Sequence, residues 1–176
     1  MNDIPPVVLD SSIAIALVRN EPTATAIRAA TRRWADQSRP MIAPGIFWFE
    51  VVNVLARRYR YGGLDILHAV HEIDEFGLVT IDPDRGLLLL TIDHVERFGL
   101  SSYDASYLAL ADSHGGDVAT LDRALATAAG PRAISFDGRH RLSEPPAAYE
   151  HEVTWPNYKG ASAYLAKLRA EAARPS

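Results

Sequence analysis

Residues 101–125 read SSYDASYLALADSHGGDVATLDRAL, and their reading decides the fold. The first half reads as a helix, Gly115-Gly116 as a tight break, Asp117–Leu121 as a short strand, and the remainder as the start of another helix. Asp104 falls in the first turn of the helix, and Asp122 at the carboxyl end of the strand. Two carboxylates placed in this way converge if the strand is parallel and the helix packs beside it. Other parts of the chain add acids of the same kind.

The chain has 176 residues, enough for one domain with a real core and too few for two ordinary ones. With 48% hydrophobic and 23% charged residues it has the composition of an ordinary soluble globular protein. No apolar run approaches the ~20 residues of a membrane span. The start, MNDIPPVVLD, lacks a basic region followed by a signal-length apolar run, so export is not expected, nor is a membrane partner. Cysteine is absent, which removes disulfides and thiolate metal sites. A formal net charge of −4 argues against a broad nucleic-acid-binding surface. Nucleic acid would have to be met by local basic patches, or by metal ions held on acids.

Upstream, Val7-Val8-Leu9 reads as a buried strand ending at Asp10, with a short helix over Ile13–Val18. A second helix, Ala24–Ser38, has Ile27, Ala30 and Trp34 on one face, and Met41–Ala43 is a short strand. The helix Gly45–Tyr61 follows, GIFWFEVVNVLARRYRY. Between Ile46 and Ala56 its only strongly polar residues are Glu50 and Asn53, which share a face at spacing i, i+3. A carboxylate in apolar surroundings costs several kcal/mol unless it is compensated. Glu50 therefore either lies on the one wet edge of this helix or serves a metal or catalytic role; the second is the stronger expectation. Arg57, Arg58 and Arg60 close the helix before Gly62-Gly63. They read either as stop chemistry or as a patch contacting RNA or a partner, with Tyr59 and Tyr61 to stack on bases.

Leu64–Phe76 reads as a helix with Ile66, Leu67, Val70 and Ile73 inward and His68 and His71 on a solvated face. Leu78–Ile81 is a third strand, Asp82 a reserve acid at its end, and Asp84 the expected cap of a helix over Gly86–Phe98. Arg123–Ala129 is a short helix and Ala133–Phe136 a fifth strand. The expected boundaries are a domain over 1–137 and an extension over 138–176, irregular and then helical over Ala161–Ala173.

Strands alternating with helices argue for an α/β fold with a mostly parallel sheet, whose ligands sit beyond the carboxyl ends of the strands. Asp10 and Asp122 occupy such ends, and Asp104 and Glu50 lie on helices able to pack near that rim. Each aspartate also has a plain alternative. Asp10 and Asp122 fit as helix N-caps, and Asp104, three residues after Ser101, fits a capping-box pattern.

The segments VVLD, FEVVNVL, YDASYLALA and ATLDRALATAAG resemble the PIN-domain nucleases, and in particular the VapC-type toxins, from about Val7 to Phe136. The resemblance implies a PIN-like (flavodoxin-like) three-layer fold around a sheet of about five strands. It implies a quartet of Asp10, Glu50, Asp104 and Asp122 that cleaves RNA with magnesium or manganese held by Asp10, Asp104 and Asp122. Ser12 and Thr120 match positions where a hydroxyl supports the site, and Asn53 accompanies Glu50. The implied protein is a cytoplasmic endoribonuclease, homodimeric, and held inactive by a cognate antitoxin presenting Arg or Lys to the acids. The chemistry agrees, because hard cations on carboxylate oxygens activate water and neutralise phosphoryl oxygens. Four carboxylates without metal should repel one another and raise their own pKa values. Two other readings stay open: a PIN nuclease of RNA processing or repair without an antitoxin, and a non-catalytic acidic-pocket module such as a receiver domain. The second wants a Lys at the rim, whereas the only lysines are Lys159 and Lys167.

Overall fold

The computed structural model of the protein describes residues 4–136. The proposed extension over 138–176, with its helix at Ala161–Ala173, lies outside the described residues. Five strands, β1 (Val7–Leu9), β2 (Met41–Pro44), β3 (Val79–Ile81), β4 (Asp117–Ala119) and β5 (Ala133–Ile134), form one sheet in the order β3-β2-β1-β4-β5. Every pairing is parallel. The connecting helices are α1 (Ser11–Val18), α2 (Ala24–Asp36), α3 (Phe47–Arg57), α4 (Gly63–Asp74), α5 (Arg85–Phe98), α6 (Ser102–His114) and α7 (Arg123–Ala129).

A parallel sheet needs both faces covered, and the short apolar runs VVL and MIAP are buried throughout. One core joins Val7, Leu9, Met41 and Ala119 to Ile13, Leu17, Ile27, Ala30 and Trp34 of α1 and α2. Another joins Val8, Ile42 and Val118 to Phe47, Val51 and Leu55 of α3 and to Tyr107, Leu108 and Leu110 of α6. The fold is thus an α/β three-layer architecture. The carboxyl ends of β1 and β4 lie side by side where the strand order reverses, the place at which such sheets open a crevice.

The break at Gly115-Gly116 sets β4 beside β1. Gly115 ends α6 at φ 62°, a left-handed conformation that favours glycine. A Cβ on Gly116 would come within 2.7 Å of the Pro6 carbonyl oxygen, so no side chain fits there. Arg39 locks the same end, donating to the Pro5 carbonyl at 2.8 Å and pairing with Asp117 at 2.6 Å.

The helix over Leu64–Phe76 forms, but its inward set differs from expectation. Leu67 is 61% exposed and Leu64 is exposed with it, while Ala69 and Ile73 carry the buried face. The apolar look of Gly45–Tyr61 also misleads, since Phe49 is 74% exposed and Val52 faces solvent. Trp34 is core, and Trp48 is half-buried with its ring edge-on to Phe47 at 5.0 Å. His68 and His71 are exposed, as expected of a solvated face. Among the described residues no helix is long and apolar enough to cross a membrane.

Candidate active site

Each of the four acids stands at the amino end of a helix. Asp10 and Asp122 occupy the N-cap positions of α1 and α7, and Glu50 and Asp104 lie in the first turns of α3 and α6. Free amides and the helix dipole favour negative charge at such ends.

Asp10 is the buried member, 4% exposed. Its carboxylate makes no capping bond to α1. Instead it accepts two hydroxyls at one oxygen, Oδ2, from Ser12 at 2.5 Å and Thr120 at 2.7 Å. Each hydroxyl in turn accepts a backbone amide from the chain after β4: Leu121 to Ser12 at 3.0 Å and Asp122 to Thr120 at 2.9 Å. Ser12 and Thr120 thus clamp the ends of β1 and β4 together.

Glu50 is half-buried and accepts a short hydrogen bond from the hydroxyl of Tyr107. Asp104 accepts the Ser101 hydroxyl at 2.6 Å, and Ser101 accepts the Asp104 amide at 3.1 Å as the α6 cap. The capping pattern expected from Ser101 and Asp104 is real. Asp122 caps α7 through Oδ1, accepting from the Leu125 amide at 2.8 Å. The plain N-cap reading therefore holds for Asp122 and fails for Asp10.

Burial, and then the charge of Asp104, push the Asp10 carboxyl above its ordinary range against the two hydroxyls that lower it. Burial likewise raises Glu50 to about 7, with smaller upward pushes from Asp10 and Asp104 and a lowering from Tyr107. Mutual repulsion was the expected cause of such shifts; burial is the larger one. These couplings put Asp10, Glu50 and Asp104 within electrostatic reach of one another, and the Thr120 hydroxyl ties the backbone of Asp122 to the same carboxylate. Among the described residues no ion pair reaches any of the four: Arg19, Arg28, Arg39, Arg97 and Arg132 all pair with other acids.

Uncompensated carboxylates on hard oxygen donors fit a divalent cation in charge and donor type. Among the described residues, however, no three His, Asp or Glu side chains stand grouped as they would around one ion. Hydroxyls or a helix end hold each carboxylate instead.

The other expected residues lie outside this cluster. Asn53 is exposed one turn along α3, and Asp82 is exposed near Gly45. Arg57, Arg58 and Arg60 are exposed at the far end of α3, about 10 Å along the axis from Glu50. Tyr59 is not free to stack on bases, because the Arg19 guanidinium covers its ring at 3.4 Å and the rest packs on the core. Tyr107 and Ser11 were not among the expected site residues. Tyr107 carried a signal: a phenol on an apolar helix, at i+3 from Asp104, needs a buried partner.

The model of the PIN domain matches residues 7–131. Comparison with curated protein sequences gave no match. Among solved structures, PAE2754 from Pyrobaculum aerophilum aligns at TM-score 0.52 and 20% identity, over 73% of this chain and 83% of that one. A toxin–antitoxin complex from Klebsiella pneumoniae aligns at TM-score 0.52 and 19% identity, over 73% and 96%. VapC20 of Mycobacterium tuberculosis, described as a sarcin-ricin loop cleaving toxin, aligns at TM-score 0.56 and 17% identity, over 69% and 94%. At these identities the structural likeness speaks to fold, and it agrees with the family match across most of the chain. By that match over residues 7–131, the chain belongs to the PIN-domain family.

Proposed function

We propose that this PIN-domain protein is a divalent-metal-dependent endoribonuclease acting as the toxin of a toxin–antitoxin pair. The observation that carries the reading is the group of Asp10, Glu50 and Asp104, charged alike, partly buried and paired with no cation among the described residues. Such a group is costly to fold and is retained where charge is to be bound. Magnesium or manganese would be held by Asp10, Asp104 and Asp122, with Glu50 completing the set. When bound, such an ion neutralises phosphoryl oxygens and activates water for phosphodiester hydrolysis.

The chain's own groups do the rest. Ser12 and Thr120 fix Oδ2 of Asp10, and the Ser11 hydroxyl donates to Oδ1 at 3.4 Å. The amino ends of α1, α3, α6 and α7 favour an anionic RNA backbone. Arg57, Arg58 and Arg60 would meet RNA or a partner further out. The exposed Phe49, Val52, Leu64 and Leu67 on α3 and α4 suit an antitoxin whose Arg or Lys reaches the acids, since a cationic side chain can stand where a metal would. Exposed Leu88 and Ile92 on α5 suit a second copy in a homodimer. Residues 138–176 would form a separate extension, and the cytoplasm is the proposed compartment.

The test is cleavage of total RNA by purified protein with magnesium, manganese or EDTA, beside Asp104→Asn. Cutting that needs metal and disappears in the variant supports the reading. No cutting with any metal, in protein free of a co-purified inhibitor, would move the assignment to a binding module. A small partner gene immediately upstream would separate the toxin role from RNA processing or repair.

A further inference from the structure

Tyr107 is the one fully buried phenol in the described core, 0% exposed, and its ring is packed among α6, α3 and the sheet. Its hydroxyl is the group that Glu50 accepts from. The hydroxyl of Ser11, the residue after Asp10, donates to Oδ1 of Asp10 at 3.4 Å. Two elements 57 positions apart are joined by the Tyr107–Glu50 bond, so it fixes where the first turn of α3 stands relative to α6. Burial, and then the charges of Glu50 and Asp10, push the phenol far above its usual range. It therefore stays protonated and gives its one proton to the hydrogen bond with the carboxylate.

We infer that Tyr107 is a positioning residue of the acidic site: its buried hydroxyl holds one oxygen of Glu50 and turns the other toward Asp10 and Asp104. This rests on the nuclease reading for the site's purpose; the contact itself stands apart from that reading. A carboxylate on a free first-turn side chain samples several rotamers, each of which must be given up on ion binding. One held by a rigid donor has already given them up. Outer partners of this kind typically change metal affinity by about 10- to 100-fold. The phenol also explains why Glu50 tolerates half-burial without a cation: a charge-assisted hydrogen bond replaces part of its hydration.

The experiment is a double-mutant cycle of Tyr107→Phe and Glu50→Gln, read as manganese affinity by calorimetry. Circular dichroism and thermal melts check each fold, and RNA cleavage is assayed on the wild type. Tyr107→Phe removes a single oxygen and keeps the packed ring. It should weaken manganese binding about tenfold in the wild-type background and change nothing further once Glu50 is Gln. A purely structural tyrosine would give the same loss in both backgrounds, and that result overturns the inference, as does no loss in either. Wild-type protein that neither binds manganese nor cuts RNA would overturn the nuclease reading, and the inference with it. Wild-type protein that does both, with an additive cycle, would overturn the inference alone.

Discussion

Thr120 donates its hydroxyl to Asp10 across 110 positions of sequence, at 2.7 Å. The bond closes the rim between β1 and β4 and supplies one of the two hydroxyls donated to Oδ2 of a buried carboxylate. Thr120→Ala should destabilise the protein by about 1–3 kcal/mol, because it strips a partner from a buried acceptor. The lost hydroxyl lowers the Asp10 pKa, so its removal raises that pKa further. The deficit should therefore be larger at a higher pH, where the carboxyl carries more charge, than at a lower one. Urea unfolding at the two pH values measures it.

Asp122 separates capping from chemistry. Asparagine caps as well as aspartate, so Asp122→Asn should leave stability near wild type, whereas Asp122→Ala should cost about 1 kcal/mol. Both should abolish metal-dependent RNA cutting if the carboxylate is needed for charge. An Asp122→Asn variant that folds and cuts normally would remove this residue from the proposed site.

Glu50 sets a pH dependence in the metal-free protein. Its folded pKa, about 7, lies above the ordinary 4.5, so folding favours its protonated form. That contribution is full below about pH 4.5 and is lost as pH rises through about 7. Without metal, Glu50→Gln should melt a few degrees above wild type at pH 8 and no higher at pH 4.5. Added manganese should narrow the gap at pH 8 by stabilising the wild type. Differential scanning calorimetry in EDTA and in manganese checks both halves.

At the other end of α6 the sign is reversed. Asp112 lies 2.8 Å from Nε2 of His94, a ring only 2% exposed, and also pairs with Arg132. Burial raises the Asp112 pKa, but His94 and Arg132 together lower it below the ordinary value. A depressed acid stabilises the fold above its unfolded pKa and loses that contribution as pH falls through the folded one. Asp112→Asn should cost about 1–3 kcal/mol near pH 7, with the difference closing below pH 4. It should leave manganese binding unchanged, since these groups serve packing between α5 and α6.

Much of this was legible in the chain. Short apolar runs ending in Asp, one of them preceded by Gly115-Gly116, marked β1 and β4, and Ser101, Asp84 and Asp122 cap the helices their spacing announced. Asp10 and Asp122 look alike in sequence, however, as strand-end acids before helices. Only the fold shows that one caps while the other is turned inward onto hydroxyls 2 and 110 positions away. Phe49, Val52, Leu64 and Leu67 follow helical periods yet face outward, because periodicity reports a face and not what covers it. Tyr107 was passed over for a similar reason: its value lies in a partner on α3, which no local pattern reveals.

Strand order also decides when the rim can first exist. The central strand, β1, is the first one synthesised, yet its neighbours are residues 41–44 and 117–119. At about 5–20 residues per second, Asp10 waits on the order of ten seconds for Thr120 and Asp122 to be made. Through that interval the growing chain has neither the clamp on Asp10 nor its fourth carboxylate. A protein whose acids were adjacent in sequence would have no such delay; here the acidic rim stays incomplete until residue 122 has emerged and folded back.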